Sequence, residues 1–280
     1  MKMFPRVLSI VALAALICAT TPAVRAQSPA AAPANPPATE PKAGDLPVVA
    51  DQTKAKAAKG ITATKDQPFV NSLGMKFVPV EITVGPTSWQ NVLFSVWETR
   101  VGDFAAFVEA SKGSYRYKDG GTPYGWDGGK WKQKSGASWK NPGFSQTDAH
   151  PVTCVSWEDA GKFCAWLTEK ERASGKIGQQ DTYRLPTDHE WSCAVGIGDR
   201  EDASKTPKEK DMKIADVYPW NGGKGTWPPP KGAGNYSGQE TKGKFVKMID
   251  GYDDGYVTTA PVESFEANVN GQVRTGAKRR

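Results

Sequence analysis

The hydrophobic pattern changes period several times along the chain, and each change marks an expected element. MKFVPVEI, residues 75–82, reads as a strand or hairpin arm. NVLFSVWETR, residues 91–100, places Val92, Phe94 and Val96 at alternate positions and predicts a second strand. In TRVGDFAAFVEAS the spacing becomes helical, with Val101, Phe104, Ala105 and Val108 on one face and Thr99 as the expected N-cap. VSWEDAGKFCAWLTEKER predicts a second helix. Ser156 and Asp159 open it, Glu158 and Asp159 suit its positive end, and Phe163, Trp166 and Leu167 face inward. YRLPTDHEWSCAVGIG starts a third helix. Pro186 stops an extended piece, Thr187 and Glu190 form a T-x-x-E capping box, and Trp191 and Val195 are expected to bury beneath it. Beyond Trp220, glycines, prolines and short polar runs leave little room for long elements.

Composition then separates the ends from this body, which runs over 68–265. Residues 1–26 have a basic start (Lys2, Arg6), the apolar run VLSIVALAALICAT over 7–20, and small Val24 and Ala26 before an expected cut at Gln27. That is the layout of a secretory signal peptide, and the run is too short for the roughly 20 apolar residues of a spanning helix. The expected product is exported, periplasmic or secreted, with no stable membrane span after cleavage. Residues 27–67 are rich in Ala, Pro and Lys, carry almost no large apolar side chain, and read as a disordered linker. Residues 266–280 contain no aromatic residue and end in basic ones. The net charge of +6 comes from Lys2, Arg6 and Arg25 at one end and Arg274, Lys278, Arg279 and Arg280 at the other, leaving the rest at −1. No basic stripe with interleaved aromatics remains in the body, which argues against a nucleic-acid partner.

Little chemistry is visible in local motifs. CxxC, HExxH, GxSxG and P-loop patterns are absent, and two histidines are too few for a His-rich metal site. Removal of the leader would leave Cys154, Cys164 and Cys193, an odd number. Cys164 reads as a small core residue, and His189, in the first turn of its helix, as a solvated polar one. Asp250, Asp253 and Asp254 cluster in DGYDDGY. They form either a plain acidic turn or, with Asn235, an oxygen site for a hard cation such as Ca²⁺.

Several longer stretches together carry a resemblance. NSLGMKFVPV, WETRVGDFAAFVEA, HPVTCVSWEDAGKFCAWLT, YRLPTDHEW, YPWN, AGNY and DGYVTTAPVESF occur in the order found in formylglycine-generating enzymes, the sulfatase-modifying factors, of the bacterial exported branch. The resemblance implies an α+β, C-type-lectin-like fold with much irregular structure. It implies structural Ca²⁺ held by Asn235, the Tyr236 carbonyl, Asp254 and the Tyr256 carbonyl. It also implies that Cys164 occupies a position able to form a disulfide. Competent members use a cysteine pair that binds copper and oxidises a substrate cysteine to formylglycine.

The motif series stops after PVESF, at about two-thirds of the family domain, and the copper-binding cysteine pair is not found. The expectation is therefore a domain cut short by truncation or frameshift, incomplete at its C-terminus and non-catalytic as written, with no catalytic residues assignable. Its apolar VTTAPVESF segment should be left exposed. The partner would be a sulfatase-type substrate or a protein that completes the fold. Two other functions are compatible with the residues: an oxidase, active alone or when completed by a partner, and a lectin-like binding module.

Overall fold

The computed structural model describes residues 6–9, 61–82, 91–115, 123–127, 130–211, 213–214, 217–218, 220, 227–244 and 248–266. Most of the expected leader, the linker over 27–60 and the tail over 267–280 lie outside these. The chain divides into one unit comprising Met1–Ala15 and Ala58–Arg280 and a second comprising Leu16–Ala57.

The strands are β1 (Arg6–Ser9), β2 (Phe69–Val70), β3 (Lys76–Val80), β4 (Asn91–Ser95), β5 (Tyr124–Asp127), β6 (Lys130–Gln133) and β7 (Thr182–Arg184). The helices are α1 (Val101–Ala110), α2 (Trp157–Ala173), α3 (Asp188–Ala194) and the single turn α4 (Pro207–Lys210). Five strands form one sheet in the order β2-β3-β4-β1-β7. β2, β3 and β4 run antiparallel to one another, whereas β1 lies between β4 and β7 and is parallel to both. β5 and β6 form a separate hairpin that the sequence pattern did not signal. Mixed helix and strand make this an α+β arrangement.

β4 shows why alternation alone understates burial. Val92 and Phe94 join a small cluster with Val80, Ile82, Cys193 and Ala194, while Leu93 points into the main core. Both faces of the strand are therefore covered. The main core is aromatic: Phe104 meets Trp139 edge-on at 5.4 Å, Phe107 meets Phe163 at 6.0 Å, and Phe77 meets Tyr183 at 5.5 Å. Such tilted pairs add to the area that the rings bury. Ile61 and Ala63, placed in the linker by composition, pack partly buried against this core.

Two helix starts follow the sequence. Ser156 accepts from Asp159 N at 3.0 Å, and Thr187 accepts from Glu190 N at 3.2 Å; each acidic side chain returns a bond to the cap residue's own N–H. At α1 the expected cap is displaced by one residue. Arg100, not Thr99, is the N-cap: its backbone N–H donates to Asp103 Oδ2 at 2.9 Å and its guanidinium grips the same carboxylate. The charge-assisted fork outcompetes a hydroxyl. The buried face of α1 is Val101, Asp103, Phe104 and Phe107 rather than one containing Ala105 and Val108, both of which stay partly exposed. On α2, Phe163 and Leu167 are buried and Trp166 partly so. On α3, Trp191 and Val195 are only half-buried, and Glu190, Ser192, Cys193 and Ala194 take the inner positions. Glu190 is wholly buried and receives both arms of Arg184, at 2.5 and 2.7 Å.

The segment VTTAPVESF is not an exposed apolar strip. Ala260, Val262 and Phe265 are buried, Val262 N donates to Ala149 O at 2.9 Å, and Phe265 packs edge-on against Tyr256. Contacts with the preceding loops cover it locally.

Candidate functional site

After Trp220 the described chain is almost all turn, so its side chains must be fixed by something other than helical or sheet ladders. Part of that work is done by aromatics. Trp220, Ala233 and Tyr252 form a third buried cluster, with Tyr218, Tyr236 and Ile249 packed against it. The Tyr252 hydroxyl donates to Gly234 O at 2.5 Å, and its carbonyl accepts from Gln239 N at 2.7 Å. That second contact requires Gly238, because a Cβ there would lie 2.2 Å from the Tyr252 carbonyl oxygen.

The rest is done by one carboxylate. Asp254 Oδ2 accepts from Tyr236 N at 2.7 Å and Oδ1 from Tyr256 N at 2.8 Å, so a single side chain ties two loops together. The four residues expected to bind a metal, Asn235, Tyr236, Asp254 and Tyr256, are thus brought to one place. Asn235 Nδ2 donates to Thr258 O at 2.8 Å, which orients its amide and leaves Oδ1 as the oxygen it could offer a cation.

The electrostatics of this knot are uncomfortable without a positive charge. Burial pushes the Asp254 carboxyl up to about 6, against the opposing pull of its two N–H bonds, and the neighbouring Glu240 and Asp253 push the same way. Glu240 Oε1 accepts from Gly238 N at 2.7 Å, but its Oε2 is buried with no hydrogen-bond partner. An all-oxygen donor set, an orphaned carboxylate oxygen and a carboxyl resisting ionisation fit a hard divalent cation. A carboxylate offers about four lone-pair directions, so its two N–H bonds do not exhaust it. Among the described residues no three His, Cys, Asp or Glu side chains converge as a metal group. The candidate set relies instead on one carboxylate, one amide and two backbone carbonyls.

The cysteines are dispersed and none of the three is in a disulfide. Burial pushes the Cys164 thiol up to about 12 and also raises that of Cys154. Cys193 is buried with its Sγ 3.6 Å from His189 Nε2. His189 is not the solvated residue its helical position suggested: it is 8% exposed, and its Nδ1 is buried with no hydrogen-bond partner. Only the i, i+4 spacing of His189 and Cys193 on α3 could have signalled this pair.

Sequence reasoning also missed Glu98. Fully buried before α1, with Oε2 unpartnered, its carboxyl is pushed up to about 8 by desolvation. Nothing in the surrounding pattern distinguishes it from a surface acid.

A family model described as sulfatase-modifying factor enzyme 1-like domain matches residues 89–275. Among curated relatives, the formylglycine-generating enzyme of Mus musculus is 31% identical over 145 residues, covering 49% of this chain and 29% of the relative. That of Thermomonospora curvata is 32% identical over 143 residues, covering 49% of this chain and 36% of the relative. The inactive C-alpha-formylglycine-generating enzyme 2 of Mus musculus is 28% identical over 145 residues, covering 50% of this chain and 35% of the relative. The matched stretch thus spans about a third of each relative's length. No solved structure matches the chain.

Proposed function

The chain belongs to the sulfatase-modifying factor enzyme 1-like family, and from that premise we propose an exported, calcium-stabilised domain that binds a protein partner without oxidising it. Its finer architecture is C-type-lectin-like. The partner is a sulfatase-type polypeptide or a protein that completes the fold.

The observation that supports the non-catalytic reading is the state of the thiols. A copper centre of the kind the resemblance implies needs two thiolates at one ion, since soft thiolates select Cu(I). Burial raises the Cys154 and Cys164 thiols, which disfavours a thiolate at either. Cys193 sits instead against an imidazole. These residues do not fit such a centre, and no oxidation step is assigned to them. One of the chain's relatives is itself named an inactive formylglycine-generating enzyme.

Calcium fits better, and its role here is structural. Asn235, the carbonyls of Tyr236 and Tyr256, and Asp254 would hold it. When bound, the ion supplies the positive charge that offsets the repulsion of Asp254 by Glu240 and Asp253. The residues' own task is to hold two loops in register, through the bonds from Tyr236 and Tyr256 to Asp254.

A second reading, a partner-completed oxidase, is favoured by the activity in the names of the mouse and T. curvata relatives. An assay with copper, oxygen and a sulfatase-type cysteine peptide, read by mass spectrometry, separates the two. The binding reading expects no aldehyde above a metal-only blank. Turnover that disappears on substitution of Cys154, Cys164 or Cys193 by Ser would establish the oxidase instead.

A further inference from the structure

The helical spacing of α1 groups Val101, Phe104, Ala105 and Val108, yet the core takes Phe104 and Phe107 and leaves Ala105 and Val108 partly exposed. Those two side chains line a groove of about 470 Å³, which Trp139 and the stretch 146–148 complete. The groove is built from fixed parts. Gly102 N donates to Asp148 O at 3.1 Å, and a Cβ at Gly102 would lie 3.1 Å from Asp148 Cβ, so helix and loop meet closely. Val101 N donates to His150 O at 2.9 Å, and His150 Nδ1 accepts from Thr147 N at 2.9 Å. Gln146 Nε2 donates to Trp139 O at 2.8 Å, and the Trp139 ring rests edge-on against Phe104. A groove whose walls are already held in place costs little reorganisation when a segment enters it.

Charge indicates what kind of segment suits it. Glu109 and Asp148 are exposed at the rim, against the single Lys140. Glu109 also stands in the last turn of α1, which carries no basic residue; Lys112 comes only after the C-cap, Ser111. The last turn of α2, by contrast, carries Lys170 and Arg172. The negative end of α1 is therefore not offset within the helix, and positive charge is favourable beside it. An occupant with apolar side chains for the floor and basic ones for the rim matches both features.

The chain carries such a segment next to the groove. Residues 267–280, ANVNGQVRTGAKRR, contain Val269 and Val273, four basic residues and no acid. Val262 N donates to Ala149 O at 2.9 Å, beside Asp148 at the rim, and the described chain continues from there to Glu266. Four residues place Glu266 at most about 14 Å from Val262, and the 14 residues that follow span up to roughly 45 Å when extended. The groove runs only about 10 Å along α1 from Val101 to Val108. Reach does not limit the contact.

We propose that residues 267–280 dock in this groove, with Val269 and Val273 toward Ala105, Val108 and Trp139 and with Arg274, Lys278, Arg279 and Arg280 toward Glu109 and Asp148. The chain thereby closes its own groove, and a protein partner reaches that face only by displacing the segment. The proposal goes beyond the function above and depends on neither the cation nor the thiols.

The test uses the full chain with Val269 or Val273 replaced by the photocrosslinking residue benzoylphenylalanine. The chain is irradiated at low salt, where attraction between exposed charges is least screened, and the products are mapped by mass spectrometry. Crosslinks within one chain to 101–109 or 139–148 should dominate. Glu109→Lys with Asp148→Lys should cut their yield at least fivefold. Adding Arg274→Glu, Lys278→Glu and Arg279→Glu to that variant should restore most of it, because the charges are then exchanged across the contact. Crosslinks that fall mainly elsewhere, or mainly in products of doubled mass from a second copy, would overturn the proposal. So would a yield indifferent to Glu109→Lys with Asp148→Lys. A yield that falls but is not restored by the exchange would overturn it too, since damage to the groove alone gives that pattern.

Discussion

The stretch from Phe69 to Ala194 and the stretch from Trp220 to Phe265 solve one problem in different ways. The first builds ladders and buries the periodic faces of α1, α2 and β4 in a shared aromatic core. Among its described residues much of the backbone hydrogen bonding lies within these elements, and side chains finish the helix ends. The second has almost no ladder. It relies on a few rings, on Gly238 where two loops nearly touch, and on Asp254 gathering the N–H groups of Tyr236 and Tyr256. The lesson is that the loop half concentrates its order in one acidic knot, the one proposed above to hold a cation, whereas the core half spreads its order over many rings. The two halves should therefore fail differently.

The largest expected effect lies in the core half. Phe104 is 1% exposed and touches Phe107, Tyr115, Trp139 and Phe163, so Phe104→Ala should cost about 3–5 kcal/mol in denaturant unfolding. A loss well under 1 kcal/mol would mean that this core is not the one described.

Glu98 gives an effect of opposite sign. Its folded carboxyl titrates near 8, above the ordinary value of 4.5. The native state therefore keeps a proton that the unfolded chain releases, and this group's contribution to stability falls as pH rises from about 4.5 to about 8. Glu98→Gln, which cannot ionise, should flatten that slope and stabilise the protein at pH 8 by roughly 2–4 kcal/mol. Urea melts at pH 5 and pH 8 check it; an unchanged slope contradicts it.

A smaller effect belongs to the caps. Thr187→Ala removes the acceptor for Glu190 N and should cost about 1 kcal/mol, with Thr187→Ser restoring most of it. In the loop half, burial raises the Asp254 carboxyl to about 6, so in chelator its contribution to stability should fall as pH rises from about 4 through 6. Calcium favours the charged carboxylate and should reduce that dependence, and Asp254→Asn should reduce it without calcium. Thermal melts across this pH range, with and without calcium, check both statements.

These contrasts also explain what the sequence disclosed. The capping boxes at Ser156 and Thr187 were legible because a hydroxyl and an acid three residues apart act locally. The juxtaposition of Asn235 with the Asp254 turn was one of two readings of the acidic cluster, and Tyr236 and Tyr256 joined it only through resemblance, since the loops meeting at Asp254 are 18 residues apart. Arg100 displaced Thr99 as the α1 cap because its side chain reaches Asp103, while Trp97 lies within cation–π range of both Arg100 and Lys76. His189 was misplaced because its burial comes from tertiary packing, beyond any local pattern. β1 was hidden because an apolar leader and a short strand share one composition.

The central claim is that the loop half is fastened by a cation and the core half is not. Hydrogen exchange with Ca²⁺ and with chelator tests it most directly, read at the amides of Tyr236 and Tyr256 and, in the same sample, along α2. The account predicts that chelation lowers protection at Tyr236 and Tyr256 by tenfold or more, about 1.4 kcal/mol, while Phe163 to Glu171 stay unchanged. Equal protection of Tyr236 and Tyr256 in the two buffers, with no calcium in the purified protein, would contradict it.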